Sequence, residues 1–114
     1  DTMIVNNDVS PELVFVRNTT PDIIIEVPGQ SFAAGDKVNL VFQQTFATVL
    51  TLETGDLTIS GDQISVTLTA EQTKQLVPGP FEAQLVFLFA DGTQDASAWM
   101  HGVCLRNGLE GTPT

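Results

Sequence analysis

The sequence predicts an all-β sandwich of about seven to eight short strands, with one short helical turn near residues 69–76. Three observations predict it. Apolar residues recur at a period of two, as in Val38-Leu40-Phe42, Ile64-Val66-Leu68 and Phe81-Ala83-Leu85-Phe87, the period of a half-buried strand. Turn signals cut the chain at short intervals: Pro28-Gly29, Gly35-Asp36, Gly55-Asp56, Gly61-Asp62 and Asp91-Gly92. Between two of the strands lies a stretch, Thr69 to Leu76, that reads as a single capped helical turn. Such a turn is how many immunoglobulin-like sandwiches cross from one sheet to the other, so an immunoglobulin-like sandwich is the expected fold.

The elements follow in order. Glu12 to Arg17 reads as a first strand, ended by Asn18-Thr19-Thr20-Pro21. Asp22 to Val27 is rich in β-branched residues, which suit a pleated surface. Lys37 to Gln43 follows the turn pair Gly35-Asp36 and points Val38, Leu40 and Phe42 to one side. Phe46 to Leu52 continues as a strand with its threonines outside. Leu57 to Ile59 is short, and Ile64, Val66 and Leu68 alternate in the next strand. Thr69 is a good helix N-cap with Gln72 three residues on, the spacing of a capping box. Pro78-Gly79-Pro80 stops the turn, and Leu76 is placed to plug that end of the core. Phe81, Ala83, Leu85, Phe87 and Phe89 then share a face. Asp91-Gly92 predicts a hairpin. The last strand, about Ala96 to Leu105, has two readings: Trp99 and Val103 inside, or Met100 and Cys104. Residues 1–11 read as an extended arm, 12–106 as one sandwich domain, and 107–114 as a flexible tail.

A chain of 114 residues with 42% hydrophobic content suits one domain with a real core. Fourteen acidic residues face four cations, a net charge of −10. That excludes the basic footprint a nucleic-acid binder needs and disfavours an anionic membrane surface. Solubility is the plain reading of the acidity, with calcium or a basic partner protein as the alternatives. Cys104 is the single cysteine, so no internal disulfide can form. No apolar run approaches the ~20 residues of a membrane helix, and no signal peptide is visible. The sequence begins at Asp1, which suggests a processed or excised start, with Met3 as an alternative initiator.

No catalytic or cofactor-binding set emerges, and we expect no enzyme and no cofactor. A catalytic triad needs an imidazole beside a nucleophile, and the lone His101 lies mid-strand with no Gly-x-Ser-x-Gly elbow in the chain. His101 and Cys104 are three residues apart, which on a strand points them to opposite faces. Zinc asks for about four ligands. Asp36, Asp56, Asp62, Asp91 and Asp95 sit at turns, where Asp is favoured for backbone reasons. The Asp91–Asp95 loop clusters oxygens for calcium but fails the EF-hand pattern, because the twelfth position from Asp91, Gly102, offers no side-chain ligand. Asn18-Thr19-Thr20 matches a glycosylation acceptor.

Five marks stand in order: Gly35-Asp36 before Val38-Asn39-Leu40-Val41-Phe42; Leu68-Thr69 with Glu71-Gln72-Thr73; Gly79 before Gln84-Leu85; Asp91-Gly92-Thr93; and Ala96-Ser97. In this order the segment from about Asp22 to Leu109 resembles the phage baseplate upper protein N-terminal domain family and its short tail-protein relatives. Two features depart from that pattern: Pro78 and Pro80 flank the glycine, and Trp99-Met100-His101 replaces a plainer β-branched run. The resemblance implies an immunoglobulin-like module without a catalytic motif. It implies a structural part of a phage or prophage tail or baseplate, soluble in the host cytoplasm before assembly into the virion, and either a stand-alone component or an excised domain. Other virion or baseplate proteins would be its partners, with homo-oligomers, and with neither nucleic acid nor membrane insertion. Val86 and Leu88, on the outward face of a strong alternating strand, and Trp99 are the expected interface residues. The alternative reading is a carbohydrate-binding or adhesive surface module, with Trp99 as the stacking platform.

Overall fold

The computed structural model describes residues 2–6, 12–30, 32–97 and 99–108. Ten strands are present: β1 (Thr2–Asn6), β2 (Glu12–Val16), β3 (Asp22–Glu26), β4 (Lys37–Gln44), β5 (Ala47–Leu52), β6 (Thr58–Ser60), β7 (Gln63–Thr67), β8 (Gly79–Leu88), β9 (Gln94–Ala96) and β10 (Met100–Leu105). One helix, α1 (Ala70–Thr73), and one 3₁₀ turn over Thr54–Asp56 join them. One sheet has the order β1-β3-β7-β6; the other runs β2-β10-β8-β4-β5, with β9 on β8. Strands β3, β7 and β6 occupy the places of B, E and D in a variable-type immunoglobulin sandwich, and β5, β4, β8 and β10 those of C′, C, F and G. The expected immunoglobulin-like sandwich is therefore the fold observed.

The strand count exceeds the expected one for two reasons. Of the segment read as an arm, residues 2–6 form β1, which runs parallel along β3 of the same chain. Residues 1 and 7–11 lie outside the described residues, as does 109–114 of the expected tail. The last strand is also broken in two. Val86 pairs with Ala96, but Ala83 pairs with Met100, a shift of one residue. Ser97 bridges the break: its N–H donates to the Leu85 carbonyl at 2.9 Å and its Oγ accepts from the Leu85 N–H at 3.0 Å. The shift settles the two readings of this strand, because Met100 and Cys104 are buried and Trp99 is outside.

The core lies between the sheets where the period-two pattern places it. Val38, Leu40, Phe42, Ile64, Leu68, Leu76, Phe81, Ala83, Leu85 and Phe87 are all buried. Phe81 packs between Phe15 and Phe42, with ring centroids 5.3 and 5.7 Å away. Gly102 makes room for that ring: a Cβ there would lie 2.3 Å from Phe81 Cζ. Val66 and Phe89, expected on the inner face, are partly buried at its margins.

Both ends of the sandwich are closed by polar groups that satisfy loop backbone, which buried peptide groups require. At one end Thr69 and Gln72 form the expected reciprocal capping box. The buried Thr73 hydroxyl accepts from the Thr19 N–H at 3.2 Å and sits 3.0 Å from the Thr19 carbonyl as donor. Arg17 Nε donates to the Leu76 carbonyl at 3.0 Å, and the Gln44 amide exchanges two hydrogen bonds with the Val77 backbone. At the other end Asp36 accepts from the Ala33 N–H at 2.7 Å and from the Ala90 N–H at 2.9 Å. Gly35-Asp36 is thus tied to the hairpin that Asp91-Gly92-Thr93 forms.

Candidate functional site

The outward face of the six-stranded sheet carries residues that are not spent on capping. Its rows can be read across the strands from the register. Glu12, His101, Glu82, Gln43 and Thr48 stand side by side on β2, β10, β8, β4 and β5. This polar row divides two apolar zones. On one side, Val14 on β2 is next to Val103 on β10, which faces Pro80 on β8. On the other, Val86 lies between Ala96 and Asn39, and Leu88 between Gln94 and Lys37. Trp99 sits in the break between β9 and β10, one residue before the Met100–Ala83 pair. Val86, Leu88 and Trp99 are 39%, 40% and 37% exposed. The three residues expected at an interface therefore occur on one sheet, on or beside the same strand, and half of each is in the protein.

A shallow groove of about 420 Å³ follows the polar row, lined by Glu12, Gln43, Thr45, Glu82, His101 and Val103 among others. His101 is exposed here while Cys104 is buried on the inner side of the same strand. The strand alternation that separates them in sequence also separates them in space.

Turn carboxylates are engaged with their own backbone. Asp91 Oδ1 accepts from the Thr93 hydroxyl at 2.6 Å and from the Thr93 N–H at 2.9 Å. Those bonds, the hydroxyl's first, hold its carboxyl below the ordinary 3.8. Asp95 Oδ1 accepts from the Ala96 N–H. Asp56 accepts from the Glu53 N–H. No group of three or more His, Cys, Asp or Glu able to hold a metal ion occurs among the described residues. No described helix is long and apolar enough to cross a membrane. Asn18, the candidate glycan acceptor, sits in a tight turn at φ 61.

One residue that the pattern did not single out stands apart. Phe46, expected to open a strand, instead occupies the two-residue turn between β4 and β5, and it is 92% exposed. Thr45 and Phe46 have φ of 53 and 63, the left-handed region that both central residues of a type I′ turn need. The sequence carries no Asn-Gly there to signal it.

No protein-family model matches the chain, and no curated protein matches it. Among solved structures, the V domain of amphioxus IgVJ-C2 is similar at 11% identity, over 82% of this chain and 99% of that one, with a TM-score of 0.33. The whole amphioxus IgVJ-C2 molecule is similar at 11% identity and a TM-score of 0.34; the match takes in 81% of this chain and 54% of that one, about half its length. Murine CRIg is similar at 12% identity, over 84% of this chain and 92% of that one, with a TM-score of 0.34.

Proposed function

We propose that this protein is a non-enzymatic assembly module, acting through protein–protein contacts on the outward face of its six-stranded sheet. The observation that carries this reading is the set of partly exposed Val86, Leu88 and Trp99 on a centrally placed strand and its immediate neighbour. Apolar and aromatic residues set in a polar surround are the composition of an interface core. The particle we assign it to is a phage or prophage tail or baseplate. The support for that assignment is the ordered set of marks from Gly35-Asp36 to Ala96-Ser97, and its partners would be other virion proteins.

Co-expression tests this. The chain is produced with the products of its neighbouring genes, as wild type and as the Val86→Ser/Leu88→Ser/Trp99→Ser variant. The wild type is expected to co-purify with a tail or baseplate protein in fixed stoichiometry, and the variant to lose that partner while staying folded. A chain that ignores every neighbouring product, yet changes its Trp99 fluorescence on a glycan panel, would replace this reading with the carbohydrate-binding one.

A further inference from the structure

Strand β5 is an open edge of the six-stranded sheet. After Leu52 the chain leaves through the 3₁₀ turn for the other sheet, and among the described residues Ala47–Leu52 pairs only with β4. An open edge presents unpaired N–H and C=O groups, and soluble proteins commonly guard it with charge or brevity. Two other outer strands are guarded so: β2 begins at the exposed Glu12, and β6 is three residues long between Asp56 and Asp62. From Gln43 to Leu52 there is no charged residue, in a chain of net charge −10. A register shift beside Phe42/Gln43 leaves Val49 as an additional residue of β5. Thr48 and Thr51 then both stand on the outward face, opposite Gln43 and Val41, while Leu50 and Leu52 face the core. The strip is preceded by Phe46, which is 92% exposed.

We propose that β5 pairs antiparallel with β5 of a second copy of this chain, joining two six-stranded sheets edge to edge about a two-fold axis. A strand antiparallel to itself satisfies that symmetry, with one patch serving both sides. The uncharged strip is where two strongly acidic chains can meet without opposing like charges. The same pairing carries the residues before β5 in one copy alongside those after β5 in the other. There each Phe46 meets the partner copy's groove of about 520 Å³, lined by Lys37, Asn39, Glu53 and Gly55 among others. The Lys37 stem and ammonium suit an aromatic ring. This deepens the assembly reading above by giving one of its contacts an occupant.

Sedimentation velocity on the full chain tests the pairing with two charge-reversal partners, Thr48→Lys/Thr51→Lys and Thr48→Glu/Thr51→Glu. The wild type is expected to dimerise, each variant alone to be monomeric, and an equal mixture of the two to dimerise again. The lysine variant lowers the chain's net negative charge, so its loss of the dimer would not come from overall repulsion. A monomeric wild type overturns the proposal, and so does a dimer that survives in both variants. If that surviving dimer is dissolved by Val86→Ser/Leu88→Ser/Trp99→Ser, edge pairing fails while the outward face stands. Should a charged variant not fold, Phe46→Ser decides, because it alters only an exposed ring. It is expected to weaken the dimer about tenfold or more, and an unchanged dimer overturns the proposal.

Discussion

Gly102 shows how one residue admits the packing of the core. Its missing side chain is the space that the Phe81 ring fills, and a Cβ would also lie 2.6 Å from the Leu13 carbonyl oxygen. Neither the ring, wedged between Phe15 and Phe42, nor the backbone of β2 can give way cheaply. Gly102→Ala is therefore expected to destabilise the fold by about 1–3 kcal/mol, the usual range for overpacking, measured as a lower urea midpoint at unchanged slope. The Asp91 carboxylate makes a second prediction at this scale. Its folded pKa lies below the ordinary 3.8, chiefly because the Thr93 hydroxyl donates to it. A depressed carboxylate contributes stability above its unfolded pKa and loses it as pH falls through the folded value. The Asp91 carboxyl should accordingly titrate by NMR below 3.8. In Thr93→Val the midpoint should rise towards that value, stopping short because the Thr93 N–H still donates.

The β4–β5 hairpin is the element where local chemistry and tertiary role disagree most. A type I′ turn asks for Asn-Gly, and this one is made by a β-branched residue and an aromatic one. Left-handed backbone at such residues costs roughly 1–2 kcal/mol each. Strain of this kind persists where the surrounding structure holds it, here the β4–β5 pairing. Replacing the pair by Asn-Gly (Thr45→Asn with Phe46→Gly) should raise thermal stability while weakening self-association. A variant that is both stabilised and fully associating would separate Phe46 from the contact. The hairpin also marks what could be read in advance. The inward faces of β4 and β8, the capped α1 turn and the buried Leu76 were legible because period-two alternation and a Thr-x-x-Gln spacing are local signals. Three things were not. The type I′ turn lacks its signature pair. The break at Ser97 depends on cross-strand hydrogen bonds to Leu85. The place of β1 depends on a partner, β3, some twenty positions along the chain. Trp99 fell on the outside for the same reason: a one-residue shift, invisible in the strand's own pattern, decided its facing. Val86 and Leu88 were legible because a regular ten-residue strand leaves no choice of face.

At the scale of the molecule, polar closure of both ends leaves the sheet faces and edges as the surfaces available for contact. Arg17, Thr73 and Gln44 close one end by bonding loop carbonyls and amides, and Asp36 ties the other. Thr69, Gln72 and Thr73 at one end, and Gly35-Asp36 with Asp91-Gly92-Thr93 at the other, are thereby engaged in holding the ends. The large apolar residues left exposed include Val86, Leu88 and Trp99, Val14 and Leu105 towards the β2 edge, and Phe46 and Val77 at the turns. Net charge keeps isolated copies apart over distances comparable to the Debye length, about 8 Å at physiological salt. In the proposed function, association therefore rests on short-range burial, at these apolar zones for a partner protein and at the uncharged β5 edge for a second copy. Trp99 is the single tryptophan of the chain, which makes it a reporter inside the proposed contact. The most direct test is the fluorescence of Trp99, with its accessibility to a soluble quencher, in the isolated chain and in its assembly with a tail or baseplate partner. On assembly the Trp99 emission should shift to the blue and its quenching should fall markedly. Emission and quenching that are identical in the free and assembled protein would contradict the proposed contact.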